Sequence, residues 1–133
     1  MKQEHKDLLL KDLCGRLPYG VKIKTSYNNI EKPIELKSVN PKGETFTVGG
    51  KFTAVSGLRL DLYDCKPYLF PLSSMTIKQK AELSMLVVDV EDIFKSFLIE
   101  VEFCHKHHID YRGLIPIGLA IDATNLNVYS KEE

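Results

Sequence analysis

Residues 21–25 read Val21-Lys22-Ile23-Lys24-Thr25, and the fold turns on this short stretch. Apolar or β-branched side chains alternate with lysines, so Val21, Ile23 and Thr25 fall on one face of an extended chain and Lys22 and Lys24 on the other. That is the pattern of a half-buried strand. The same period returns downstream, where Ile34 and Leu36 alternate with Glu35 and Lys37. Asn28 and Asn29 supply a turn between the two, and Asn40-Pro41-Lys42-Gly43 closes the second strand with turn-favouring residues in order. Glu44 to Val48, Gly49-Gly50 and Lys51 to Val55 read as a hairpin, because a tight turn favours positive φ at both central positions. Leu58, Leu60 and Leu62 then alternate with Arg59 and Asp61. Short connections force antiparallel neighbours, so an antiparallel meander of about five strands is expected.

Working outward, the spacing of Leu9, Leu10 and Leu13 predicts an N-terminal helix from Glu4 to Cys14, with Lys6, Asp7, Lys11 and Asp12 on its wet side. Gly15 stands where a left-handed cap is wanted, and Pro18 blocks continuation. Beyond the meander, Pro67 and Pro71 argue that Lys66 to Ser74 is an irregular crossing segment with Tyr68, Leu69, Phe70 and Leu72 partly buried. Thr76 with Gln79 forms a capping box that opens a second helix. Asp89 and Asp92 open a third, running to about His108, whose apolar stripe is Ile93, Phe94, Phe97, Leu98 and Val101. The tail from Tyr111 to Ala123 is too apolar to hang free, and Asn125 to Tyr129 is expected to add a last strand. The expectation is one α+β domain over residues 1–133, its two C-terminal helices packed on one face of the sheet to hide its apolar side.

Eighteen basic residues balance eighteen acidic ones, and most alternate with them along the chain, which disfavours a duplex-binding face built on counterion release. A weak nucleic-acid contact through Lys22, Lys24, Lys37 and Lys51 is the one such reading the sequence leaves open. The polar start lacks the apolar run of a secretory leader, and Met85 to Val88 is far too short to span a bilayer. Cys14, Cys65 and Cys104 are odd in number and widely spaced, which suits a reducing cytoplasm. A cytoplasmic protein that enters no membrane is expected.

Three stretches, Leu17-Pro18-Tyr19-Gly20-Val21, the run from Lys66 to Thr76 and the run from Asp110 to Ala120, together resemble small uncharacterised proteins of gut-bacterial phages and mobile elements. The resemblance implies such an origin and carries no assigned activity.

Four stretches of the sequence carry residue types capable of chemistry or recognition. Cys104, His105 and His108 lie about one helical turn apart and offer ligands of the kind Zn²⁺ takes, yet they also continue the arc of the apolar stripe, and no fourth ligand is identifiable. The reading adopted is packing, with no metal and no cofactor. Neither Cys65, Ser73, Ser74 nor Cys104 has the base and orienting partner that an activated nucleophile needs. Gly49-Gly50-Lys51 lacks the earlier glycine and the following hydroxyl of a phosphate loop. Tyr68, Phe70, Tyr111 and Arg112 are residue types that dominate protein interfaces, though burial of their rings is the competing explanation. By elimination the expected function is a non-enzymatic accessory or protein-interaction role, with a protein partner or a second copy. The alternatives are a metal-dependent or hydrolytic enzyme centred on Cys104, His105 and His108, and a weak nucleic-acid binder.

Overall fold

A computed structural model describes residues 3–25, 33–39, 44–48, 58–61 and 65–129. In chain order they form α1 (Gln3–Arg16), β1 (Lys22–Lys24), β2 (Ile34–Val39), β3 (Glu44–Val48), β4 (Leu58–Asp61), β5 (Lys66–Pro71), α2 (Ile77–Val87), α3 (Ile93–Lys106), β6 (Ile109–Asp110) and β7 (Ile121–Asp122). The fold is α+β, as the patterning predicts. The turns expected at Asn28-Asn29, Asn40 to Gly43 and Gly49-Gly50, and the strand expected at Lys51 to Val55, lie outside the described residues.

The alternation that begins at Val21 holds: Val21, Ile23 and Thr25 are buried and Lys24 is exposed. Strands run in the order β4-β3-β2-β1-β5-β6, with β7 also paired to β5. β1 through β4 pair antiparallel in sequence, and β1 pairs antiparallel with β5. The sheet is nevertheless mixed rather than a pure meander, since β6 and β7 both join β5 in parallel. A parallel partner needs a long crossover, and α2 with α3 supplies it between β5 and β6.

The prolines misdirect the reading of residues 66–74. Lys66–Pro71 is not an irregular crossing but the strand on which β1, β6 and β7 converge. Its ladders are short: β1 covers Lys66 and Pro67, β7 covers Tyr68 and Leu69, and β6 covers Phe70 and Pro71. Pro67 and Pro71 therefore stand at ladder ends, where a missing N–H interrupts no long run of bonds. The last strand also differs from expectation, forming at Ile121–Asp122 while residues 125–129 turn.

The main core joins Leu9 and Leu13 of α1 to Val21, Ile23, Leu36, Cys65 and Leu69 of the sheet region and to Leu114, Leu119 and Ala120 of the tail. The tail packs back, as its composition requires. α1 continues through Gly15 to Arg16, and the left-handed residue that ends this region is Gly20 at φ 71° after a 3-10 turn over Leu17–Tyr19. Thr76 and Gln79 make the reciprocal capping box with both bonds at 3.0 Å. The cap of α3 is Asp92 rather than Asp89; its carboxylate accepts the Phe94 N–H at 2.9 Å.

The largest departure concerns α2 and α3. Expected to lie over the sheet, they form a hairpin whose first helix has no buried residue. The C-terminal turns of α3 enter the body with Leu83 of α2 beside them, where Phe103 and Cys104 pack on Ile109, Met75 and Tyr111. Among the described residues α1 and the tail fill the core, and the apolar half-face of α3 near its start is exposed.

Candidate functional site

Three features stand out, and each uses residues that the sequence singled out. The first is a polar knot where α1, α3 and β6 meet. Asp12, expected on the wet side of α1, is fully buried, as is Arg16. The Arg16 guanidinium donates to Asp12 Oδ2 at 2.7 Å, to the Cys104 carbonyl at 3.3 Å and to the Ile109 carbonyl at 2.6 Å. Arg112 Nε reaches the other Asp12 oxygen at 3.2 Å. Every hydrogen bond of this guanidinium thus ends on a buried acceptor, which is what a buried charge requires. Hydrophobic spacing gives no warning of it, because the acceptors lie 88 and 93 residues away along the chain.

Against the knot sits His105, one ring nitrogen 2.7 Å from the Tyr111 hydroxyl. Burial, reinforced by the Arg16 charge, holds the imidazole pKa below its ordinary value. Burial likewise pushes the Cys104 thiol pKa up, which disfavours the thiolate form. His108 points elsewhere, its ring stacked on Tyr129 with centroids 3.7 Å apart. Cys104, His105 and His108 therefore do not converge, and among the described residues no three His, Cys, Asp or Glu side chains are grouped to hold a metal ion.

The second feature is a cleft at the C-terminal end of α3, about 520 Å³ in volume, with Lys22, Phe70, Lys106, His107, His108 and Tyr129 among the residues of its wall. His108 follows the helix cap with φ 59°, the left-handed position that helices usually give to glycine. A non-glycine residue there costs on the order of 1 kcal/mol, which marks the imidazole as wanted for its side chain. Tyr129 anchors the opposite wall: its hydroxyl donates to the Tyr68 carbonyl at 2.8 Å and accepts the Lys22 N–H at 2.7 Å. Burial drives its phenol pKa far above the usual range. Lys22 extends over the Val128 carbonyl at 3.0 Å.

The third feature is the exposed hairpin. Ile77 is 86% exposed, Phe94 77%, Ile93 74%, Met85 73% and Phe97 64%, and Leu86, Val88 and Leu98 are also exposed. The stripe expected to pack on the core is instead split: its end at Cys104 is buried and its beginning at Ile93 faces out.

The four interface candidates fare differently. Tyr68 is buried, Phe70 lines the cleft half-buried, and Tyr111 serves His105. Arg112 pairs with Asp12 while its guanidinium lies 5.0 Å from the Tyr111 ring. Of the lysines proposed for nucleic acid, Lys24 is exposed and Lys22 is engaged at Val128; Lys51 lies outside the described residues. Sequence reasoning missed the hairpin surface and Tyr129. For the hairpin the available signal was an unbroken apolar stripe in a chain whose core had already been filled. No helix among the described residues is long and apolar enough to cross a membrane.

No protein-family model matches the chain, and neither a curated protein nor a solved structure shows significant similarity to it.

Proposed function

We propose that the chain is a non-enzymatic protein-interaction module whose contact surface is the α2–α3 hairpin, and that its occupant is a second copy of the chain. The observation that carries this reading is the set of large apolar side chains standing in water on two adjacent helices. Eight such residues, from Ile77 to Leu98, are each about half exposed or more, a concentration unlike the single scattered apolar residues of an ordinary surface.

For two copies, the acidic tip favours an antiparallel arrangement, which sets each tip against a neutral base rather than against the other tip. The tip of the hairpin carries Asp89, Glu91 and Asp92 against Lys95, and the start of α2 carries Lys78 and Lys80, with Glu102 across from them on α3. The tip is net acidic, whereas at the base Lys78, Lys80 and Lys106 are balanced by Glu82, Glu100 and Glu102. A two-fold axis across the hairpins near Phe97 sets each tip against the other base, whereas a parallel pairing opposes the tip acids to their own copies. The product is a four-helix bundle with Phe94, Phe97 and Met85 inside. The likeness to small phage and mobile-element proteins supports an accessory role of this kind.

Light scattering on a size-exclusion column tests the reading. The expected mass is twice the 15.1 kDa of one chain, and Phe97→Glu, a change at an exposed site, is expected to return it to one. A wild-type monomer at every concentration overturns the proposal, and so does a dimer that Phe97→Glu leaves intact.

A further inference from the structure

The cleft at the end of α3 borders the base of the hairpin through Gln79 and Lys106 but includes none of its exposed apolar residues, and its chemistry points to a small molecule. Its 520 Å³ falls within the ~300–1,000 Å³ of ligand pockets. The wall offers two ammonium groups, Lys106 and Lys22, the latter also donating to the Val128 carbonyl, together with the imidazole of His107, the His108 ring stacked on Tyr129, and the flat face of Phe70. Among the described residues no carboxylate belongs to the wall, although Glu35 comes up to Gly20, its Oε2 3.5 Å from where a Cβ on that glycine would stand. A second hollow of about 330 Å³ also borders Phe70 and His107, and adds Thr124 and Asn125 as hydrogen-bonding groups.

The end of a helix ordinarily repels an anion because its last carbonyls point outward. In α3 three of those carbonyls, of Phe103, Cys104 and His105, are occupied. Arg16 holds the Cys104 carbonyl, the His107 N–H bonds to the Phe103 carbonyl at 3.0 Å, and the His108 N–H bonds to the His105 carbonyl at 3.2 Å. The side chains facing the cleft are cationic and aromatic apart from Gln79. The left-handed backbone of His108 turns its ring toward this wall.

We infer that this cleft binds a planar aromatic ring bearing a phosphate or carboxylate, the ring against Phe70 and the imidazoles and the anion between Lys22 and Lys106. Nothing in this depends on the hairpin pairing, which Phe97→Glu abolishes without touching the cleft.

Nuclear magnetic resonance titration of the ¹⁵N-labelled chain tests it, with adenosine 5′-monophosphate, benzoate, adenosine and inorganic phosphate at about 10 mM, enough to saturate a millimolar site. Adenosine monophosphate or benzoate is expected to shift the His107, His108 and Phe70 resonances, and the arm that binds more tightly tells phosphate from carboxylate. Removing the charge, in adenosine or in the exposed-site variant Lys106→Gln, is expected to weaken binding about tenfold, as loss of one charge-assisted hydrogen bond does. The inference is overturned if neither anionic ring shifts these resonances. It is overturned equally if adenosine binds as well as its monophosphate, or if inorganic phosphate alone reproduces the shifts.

Discussion

The imidazole of His105 occupies the space that a side chain on Gly15 would need: a Cβ placed on Gly15 would stand 2.5 Å from His105 Cε1 and 2.9 Å from Nε2. Gly15 is therefore kept small by a neighbour across the helix interface, and its position inside α1 has nothing to do with capping. An alanine there gains about 1 kcal/mol of helix propensity but meets a ring pinned by Tyr111, and overpacking of this kind costs about 1–3 kcal/mol. Gly15→Ala is expected to lower stability in urea, whereas the same change made in a His105→Ala background is expected to be neutral or stabilising. Equal effects in the two backgrounds would show that the ring is not the obstacle.

Asp12 and Arg16 form the buried pair on which the junction of α1, α3 and β6 depends. Removing one partner of a buried pair strands the other charge, so Asp12→Ala and Arg16→Ala are each expected to cost about 3–5 kcal/mol, a large part of a domain's total stability. Arg112 is partly in solvent, and Arg112→Ala is expected to cost less than about 1 kcal/mol. Chemical denaturation of the three variants checks the ranking; an Arg112 effect as large as that of Arg16 would contradict it.

What the sequence made legible was local. Val21, Ile23 and Thr25 declared a buried face through their own spacing, and Thr76 with Gln79 declared a helix start because both bonds close within four residues. What it hid depends on distant partners. Asp12 looked like a solvated charge because its second cation, Arg112, lies 100 residues away. Residues 66–71 looked unfit for a sheet because proline rules speak of long ladders, and here each ladder covers two residues. The stripe from Ile93 to Val101 was legible as apolar but not as exposed, since periodicity says which face is greasy and nothing about what covers it. Of the candidate site, the residue types at 104–108 were visible; that His105 and His108 face different neighbours follows from the left-handed backbone at His108.

The lowered pKa of His105 links stability to pH with a definite sign. Burial and Arg16 favour the neutral ring in the folded state, so between the folded value and the ordinary 6.5 the unfolded chain binds more protons. Stability then rises with pH across that window. The contribution is fully present above pH 6.5, is lost as pH falls through the folded pKa, and levels off below it. Thermal melts from neutral to mildly acidic pH are expected to show a steeper fall for the wild type than for His105→Gln. Parallel curves would assign the acid sensitivity to other groups.

Asp110 gives the most direct test of how the tail is held. Its two carboxylate oxygens accept the backbone N–H groups of Leu114 and Ile115, both at 2.9 Å, and the carboxylate is buried while doing so. Gly113, at φ 78°, lets the chain turn back onto that acceptor. Leu114 then drops fully into the main core beside Leu9 and Leu69. Asp110→Ala leaves two inward-facing donors without acceptors, each costing about 1–3 kcal/mol. Asp110→Asn retains one carbonyl oxygen, and is expected to fall between the wild type and the alanine variant. Hydrogen exchange locates the effect: the amides of Leu114 and Ile115 are expected to lose protection first, ahead of those in α1, because the turn opens before the core does. Simultaneous loss of protection at Leu114 and Leu9 would mean that the tail and α1 unfold as one unit, and that the carboxylate organises the core rather than the turn.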